Sequence, residues 1–328
     1  MRVRNLIISV FGALALVAVP AIPVAAAATN TSGNNSGNGL RISPIRTDIV
    51  IEPGTTKTVT VTVQDVSPNS MTVQAVINDF VASNDESGSP RLLLNNQTAP
   101  SHSLKKLTGT LPNFSLQPNE QKDVTVTITV PKGYPGGGYY GAVRFVPAGT
   151  NPENTVSLSA SVASLILVTI PGNYHEALSI ASFDIEQSGH IHSVFSKPNG
   201  LVAAVRFQNS GDVQEQPFGK VLVKKGDKVI SSAELNNSDP RANVLPDSIR
   251  KFTVPLKGIG SFGKYTVEAN LGYASGQLLT AKTTFYVIPS ALILGVIIAI
   301  LAIILLVVVI PRIVRRHDQS VLRRASRR

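Results

Sequence analysis

Pro118-Asn119-Glu120-Gln121-Lys122-Asp123-Val124-Thr125-Val126-Thr127-Ile128 decides the fold of this 328-residue chain. A proline-led turn opens the stretch, polar residues follow, and then β-branched apolar residues alternate with threonine. Period two sends Val124, Val126 and Ile128 to one face and Thr125 and Thr127 to the other, as in a half-buried strand. The same frame stands without a gap at Pro53-Gly54-Thr55-Thr56-Lys57-Thr58-Val59-Thr60-Val61-Thr62-Val63. A third copy starts at Pro246-Asp247-Ser248 and reaches Phe252-Thr253-Val254 at the same spacing. Composition alone could produce Thr/Val alternation, but the shared proline and spacing favour a structural repeat. A second echo joins Val61-Thr62-Val63-Gln64-Asp65 to Val205-Arg206-Phe207-Gln208-Asn209, each a strand closing on a Gln-Asx turn.

Outward from these copies the text stays strand-like. Turn signals recur at Ser67-Pro68-Asn69, Asn209-Ser210-Gly211-Asp212 and Lys225-Gly226-Asp227. No stretch between the two ends holds helical periodicity over three turns; Ser101–Leu107 is the one place for a short helical turn. Short strands at 8–12-residue spacing predict an all-β body of two tandem immunoglobulin-like β-sandwiches, followed by a single C-terminal transmembrane helix. The expected first sandwich covers 40–172 and the second 173–287, with the boundary near Pro171-Gly172-Asn173 after the apolar strand Leu165–Ile170. The disulfide and tryptophan of antibody domains are absent, since the chain has neither Cys nor Trp.

The two ends are apolar for different reasons. After Arg2 and Arg4, an apolar run from Leu6 to Val24 closes on Ala25-Ala26-Ala27-Ala28. That is the layout of a secretory signal peptide over 1–28, cleaved after Ala27 or Ala28, with an uncleaved anchor as the alternative. Residues 29–39, rich in Asn, Ser and Gly, read as a flexible linker. Ala291–Ile310 has no charge and no polar stripe; at ~1.5 Å per residue it covers roughly the 30 Å hydrocarbon core. The expected span is 288–310 and the expected cytoplasmic tail 311–328.

Charge sets the orientation. The chain holds 30 Lys+Arg against 20 Asp+Glu. The tail carries Arg312, Arg315, Arg316, Arg323, Arg324, Arg327 and Arg328 against one acid, Asp318. Without the tail, Arg2 and Arg4, the rest has 21 basic and 19 acidic residues. The positive-inside rule therefore places the tail in the cytoplasm and the body outside the cell. Nucleic-acid binding is excluded as a reading of the basic balance, because the excess is membrane-proximal and the body near neutral. A cysteine-free exported body relies on its cores alone, and the ~260 residues between the apolar ends suffice for two. Missing disulfides point to a bacterial surface sooner than an animal one.

Catalytic signals are missing. Gly258-Ile259-Gly260-Ser261-Phe262-Gly263 matches G-x-G-x-x-G, but Lys264–Leu271 after it reads as a strand where a dinucleotide site needs a helix. A glycine-rich hairpin connection is expected there. His190 and His192 can share a strand face, yet no third ligand is near in sequence. No nucleophile elbow, H-E-x-x-H or Walker loop is present. The expectation is a non-enzyme with no cofactor and no metal. One segment stands out: Pro131–Phe145 gathers Tyr134, Tyr139 and Tyr140 with five glycines. Glycines admit close backbone approach, and exposed tyrosines anchor ligands. Tyr134, Gly138, Tyr139, Tyr140 and Arg144 are the candidate binding residues; a sandwich corner with a tyrosine plugged into the core is the competing and favoured reading.

With that segment the chain resembles a known family. The order is a signal peptide, Pro-led turns into Thr/Val strands, the stretch Gly137-Gly138-Tyr139-Tyr140-Gly141-Ala142-Val143, then Val244-Leu245-Pro246-Asp247-Ser248-Ile249-Arg250, one span and a basic tail. This is similar to the WxL-interacting proteins of Gram-positive cell surfaces, over roughly residues 40–328. The resemblance implies peptidoglycan binding by the first sandwich and partner-protein binding by the second. Leu40-Arg41-Ile42-Ser43-Pro44-Ile45-Arg46 departs from the family's usual opening. The functional expectation is a single-pass membrane protein whose ectodomain attaches to peptidoglycan, to another cell-surface protein, or to both. The alternative is a passive stalk or a chaperone-like sandwich that takes a client strand at a free edge.

Overall fold

The computed structural model describes residues 39–148, 161–274 and 276–312. The expected signal peptide, nearly all of the linker, and the tail beyond Arg312 lie outside the described residues. The first half holds β1 (Leu40–Ser43), β2 (Arg46–Val50), β3 (Thr56–Asp65), β4 (Met71–Ala82), β5 (Pro90–Leu92), β6 (Phe114–Leu116), β7 (Gln121–Thr129), β8 (Gly137–Ala148) and β9 (Val162–Ile170). The second holds β10 (Leu178–Gln187), β11 (His190–Ile191), β12 (Val194–Phe195), β13 (Leu201–Asn209), β14 (Phe218–Lys225), β15 (Lys228–Leu235), β16 (Ser248–Pro255), β17 (Gly263–Tyr273) and β18 (Gln277–Val287). A 3₁₀ turn at Lys105–Leu107 falls inside the Ser101–Leu107 window.

Each half is a pair of sheets around its own core. In the first, the sheet β1-β3-β7 faces β2-β9-β8-β4-β5, with β6 also on β4. The alternation has its expected use: Val59, Val61 and Val63 of β3, with Val124, Val126 and Ile128 of β7, are buried against Phe145, Ile166 and Val168. The intervening threonines of β7 are exposed. In the second half, β11-β10-β13-β16 faces β12-β18-β17-β14-β15 around Phe207, Tyr265, Phe285 and their neighbours.

The repeat is a turn with a conformational demand. Gly54, Asn119 and Asp247, each following the proline, have φ of +82°, +64° and +53°. Proline fixes the first corner and the next residue enters the left-handed region, the requirement of a type II turn. Glycine, asparagine and aspartate tolerate it best. The Thr55 and Glu120 N–H groups close the first two turns on the carbonyls of Glu52 and Gln117, at 3.2 and 2.9 Å.

The second echo explains why the copies sit at different places in the chain. β7, led by the Pro118 turn, pairs with β3; β16, led by the Pro246 turn, pairs with β13. β3 and β13 end on buried Asp65 and Asn209. The Asp65 carboxylate accepts the Ser67 N–H at 2.7 Å, and the Asn209 side-chain oxygen accepts the Gly211 N–H at 2.9 Å. The two halves thus share a strand–Asx-turn unit and its Pro-led partner. Pro53 leads β3 itself, and Pro198-Asn199-Gly200 stands just before β13, with Gly200 at φ +73°.

The glycine run Gly258–Gly263 is not a hairpin connection. It carries the chain over the end of the sheet pair, from β16 in one sheet to β17 in the facing sheet, so the strand at Lys264–Leu271 follows a sheet-to-sheet crossing. Gly260 N–H donates to the Tyr265 hydroxyl at 2.9 Å on the way. Beyond β18, the helix α1 (Ser290–Ile304) continues to Arg312, 23 residues with mean hydropathy 3.7 and none of its apolar window buried. It is long and apolar enough to cross a membrane: roughly 34 Å at 1.5 Å per residue.

Candidate functional site: a cleft where the two sheet pairs meet

The glycine–tyrosine stretch lies where the halves touch. Gly138 N–H donates to the Asp212 carbonyl at 2.8 Å; in the linker between β9 and β10, the His175 carbonyl accepts the Asp212 N–H at 2.8 Å and the His175 N–H donates to the Asp212 carboxylate at 2.8 Å. A Cβ at Gly136 would stand 2.9 Å from the Gly172 backbone, and one at Gly138 would overlap the Tyr140 phenol and come within 2.9 Å of the Gln214 amide oxygen. These glycines let one backbone run against another.

The three tyrosines part company here. Tyr140 is 3% exposed. Its hydroxyl donates to Gln214 Oε1 at 2.9 Å, and Gln214 Nε2 donates to Thr169 Oγ1 at 3.2 Å. Burial pushes its phenol pKa well up. Tyr140 is therefore not a surface contact: it belongs to a small core of Phe80, Ala142 and Leu167 that Leu245 of the second half completes. Tyr134 and Tyr139 are half-buried, pack on each other at 5.2 Å between centroids, and lean on the first core. Tyr139 spends its hydroxyl on the Pro135 carbonyl at 3.0 Å. Arg144 sits farther along β8, donating to Asn78 Oδ1 at 3.1 Å. The five candidate residues thus do not converge on one face.

A second strut crosses the junction from the loop between β4 and β5. Glu86 receives both Nε (2.7 Å, to Oε2) and Nη2 of Arg206 on β13. That bidentate hydrogen bonding holds the Glu86 pKa below the usual carboxylate range. The Glu86 carbonyl accepts the Lys251 N–H of β16 at 2.9 Å. Nothing in the local sequence announced this loop, because Glu86 and Arg206 are 120 residues apart.

Between the two struts opens a cleft of about 560 Å³, with Phe80, His102 and Tyr140 on one side and Leu245, Pro246 and Ile249 on the other. Its edge is β16. In an antiparallel ladder, alternate residues turn both backbone groups away from the partner strand. Lys251 bonds outward to Glu86, so Ile249 and Thr253 also face outward from β13. Pro255 falls on the same parity, where a missing N–H breaks no ladder bond. Among the described residues, the Lys251–Glu86 bond is the backbone bond made on that outer edge.

His190 and His192 approach to 6.4 Å between ring centroids. Among the described residues no three His, Cys, Asp or Glu side chains gather to hold a metal. A smaller pocket by the linker holds Glu215, 3% exposed, whose pKa burial raises to about 7, with Glu176 adding to the rise.

No family model matches the chain, and no curated protein matches it. Among solved structures it is similar to a chaperone–tip adhesin complex of CFA/I fimbriae (TM-score 0.37, 13% identity, 77% of this chain and 100% of that one). It is also similar to the class 5 fimbrial chaperone CfaA (TM-score 0.36, 13% identity, 76% and 100%) and to the E. coli chaperone DraB (TM-score 0.34, 15% identity, 76% and 98%). At such scores these likenesses say nothing of what this chain binds.

Proposed function

We propose that this chain is a membrane-anchored cell-surface binding protein, built of two tandem immunoglobulin-like sandwiches over 40–172 and 173–287, that holds an extended segment of another protein at its junction cleft. The carrying observation is the outer edge of β16: its first residues, Ser248 and Ile249, line a 560 Å³ cleft, and its outward backbone groups continue past Lys251 to Thr253. An incoming strand gains main-chain bonds there, and the pockets beside Phe80 and Leu245 can take its alternate side chains. His102 at the cleft has its Nδ1 2.7 Å from the Gly138 carbonyl, and among the described residues no cleft serine is hydrogen-bonded to it, which favours binding over catalysis. A protein partner fits the geometry better than peptidoglycan does. Sugar stacking needs open aromatic faces, and Tyr140 is buried while Tyr134 and Tyr139 cover each other. Orientation with the body outside follows from the arginine-rich tail.

The test places a photo-crosslinking amino acid at Ile249 of the full chain in its native membrane, and another at the exposed Ser232 on β15 as a control. A protein adduct at position 249 that Thr253→Pro abolishes is the expected result, since that change removes an outward N–H and leaves the ladder to β13 intact. Equal adducts at both positions, or adducts indifferent to Thr253→Pro, overturn the proposal. Co-sedimentation with purified peptidoglycan above an unrelated sandwich would turn the reading to the cell wall.

A further inference from the structure

Only Ile288 and Pro289 separate the last strand from the apolar helix, since β18 ends at Val287 and α1 begins at Ser290. At most ~3.6 Å per residue, that spacer keeps the Val287 end of the second sheet pair within roughly 11 Å of the helix start. The ladder fixes what else is at this end. Gly263 stands opposite Val287 and Lys264 opposite Tyr286. The Gly258–Phe262 crossing leads straight into Gly263, and Lys225 at the neighbouring hairpin donates to the Phe262 carbonyl at 3.4 Å.

This end sets exposed aromatic rings among lysines. Phe262 is 57% exposed and Tyr286 40%. Lys264 places its ammonium 6.0 Å from the Tyr286 ring centroid. Lys225, which donates to the Phe262 carbonyl, and Lys257, the residue before the Gly258–Phe262 crossing, are exposed as well. At a bilayer surface, aromatic rings settle at headgroup depth and lysines meet anionic phosphates. The charge is complementary to such a surface, and the patch is continuous with the helix that would cross it.

We propose that this end of the second sheet pair is a lipid contact surface, with Phe262 and Tyr286 entering the headgroup layer and Lys225, Lys257 and Lys264 binding anionic headgroups. The assignment rests on the helix spanning a bilayer. Docking at this end holds the body upright and keeps the junction cleft away from the membrane.

The chain has no tryptophan, so Phe262→Trp provides a single indole that can be excited apart from the seven tyrosines. The full chain goes into nanodiscs of phosphatidylcholine, with or without phosphatidylglycerol, carrying lipids brominated near the headgroup. Leu278→Trp, 80% exposed and at the other end of the β17–β18 ladder, is the reference. Quenching at least threefold stronger for Phe262→Trp than for Leu278→Trp is expected, strengthened by phosphatidylglycerol and weakened when Lys225, Lys257 and Lys264 all become Glu. Equal quenching at the two positions overturns the proposal, and quenching indifferent to headgroup charge overturns the role of the lysines. Carbonate extraction separates the two premises. A chain released by carbonate refutes the span and the contact with it, whereas a chain retained but unquenched refutes the contact alone.

Discussion

Replacing Tyr140 by Phe isolates one bond that ties the halves together. The ring, its packing on Phe80 at 5.9 Å and its burial all remain. What disappears is the hydroxyl that donates to Gln214 Oε1 at 2.9 Å. A neutral hydrogen bond contributes about 0.5–1.5 kcal/mol net, and an acceptor left without its donor adds to the loss. Gln214 keeps its bond to Thr169 and is half-buried, so the orphaned oxygen regains water in part. The expected destabilisation is about 1–2 kcal/mol. For a body of this size that lowers Tm by roughly 2–8 °C. Gln214→Met removes the other partner at similar volume, and the double mutant closes a cycle whose coupling should be about 1 kcal/mol. Urea unfolding of the full chain in detergent, followed by tyrosine fluorescence, measures all four corners. Coupling below about 0.3 kcal/mol, with Tyr140→Phe itself near neutral, would mean that the buried hydroxyl is no tie at all.

Two further outcomes test other parts of the junction. Glu215 titrates near pH 7 in the folded chain and near its ordinary value when unfolded. Between those values the folded state binds the extra proton, so stability declines as pH rises from about 5 to 7 and then levels off; Glu215→Gln should flatten that slope and gain roughly 2 kcal/mol at pH 8, and a variant whose pH profile parallels the parent's refutes the assignment. A Cβ at Gly211 would stand 2.5 Å from the His175 carbonyl oxygen and 2.7 Å from the Ala177 nitrogen, both backbone, so Gly211→Ala should cost about 1–3 kcal/mol and speed amide exchange across the linker, whereas unchanged exchange there refutes the close approach.

What the sequence discloses is what local chemistry dictates. Val/Thr alternation and the residue after each proline concern neighbours along one strand or turn. Their structural counterparts, the buried valine faces and the positive φ at Gly54, Asn119 and Asp247, follow from a few residues apiece. The Asx echo was legible too, down to the polar side chain that closes each strand. The junction was not. Tyr140 meets Gln214 across 74 residues and Glu86 meets Arg206 across 120, and no periodicity encodes which loops meet. A Gly-Gly-Tyr-Tyr-Gly strand with more glycine than a strand wants does signal close approach, but it cannot say to what. At Gly258–Gly263 a sheet-to-sheet crossing and a hairpin share one composition, so the hairpin expected from it is not what forms.

The Glu86 loop, finally, occupies the edge it borders. Its carbonyl already fills one rung on β16, held in place by the paired guanidinium of Arg206. Any strand arriving along that edge competes with a tethered rival whose local concentration is in the millimolar range, set by the loop and independent of supply. If the edge takes a strand as proposed, weak or short segments would lose that contest and the loop would filter on affinity. A segment long enough to win expels the carbonyl and slackens one of the two struts, so occupancy would be written into the angle between the halves.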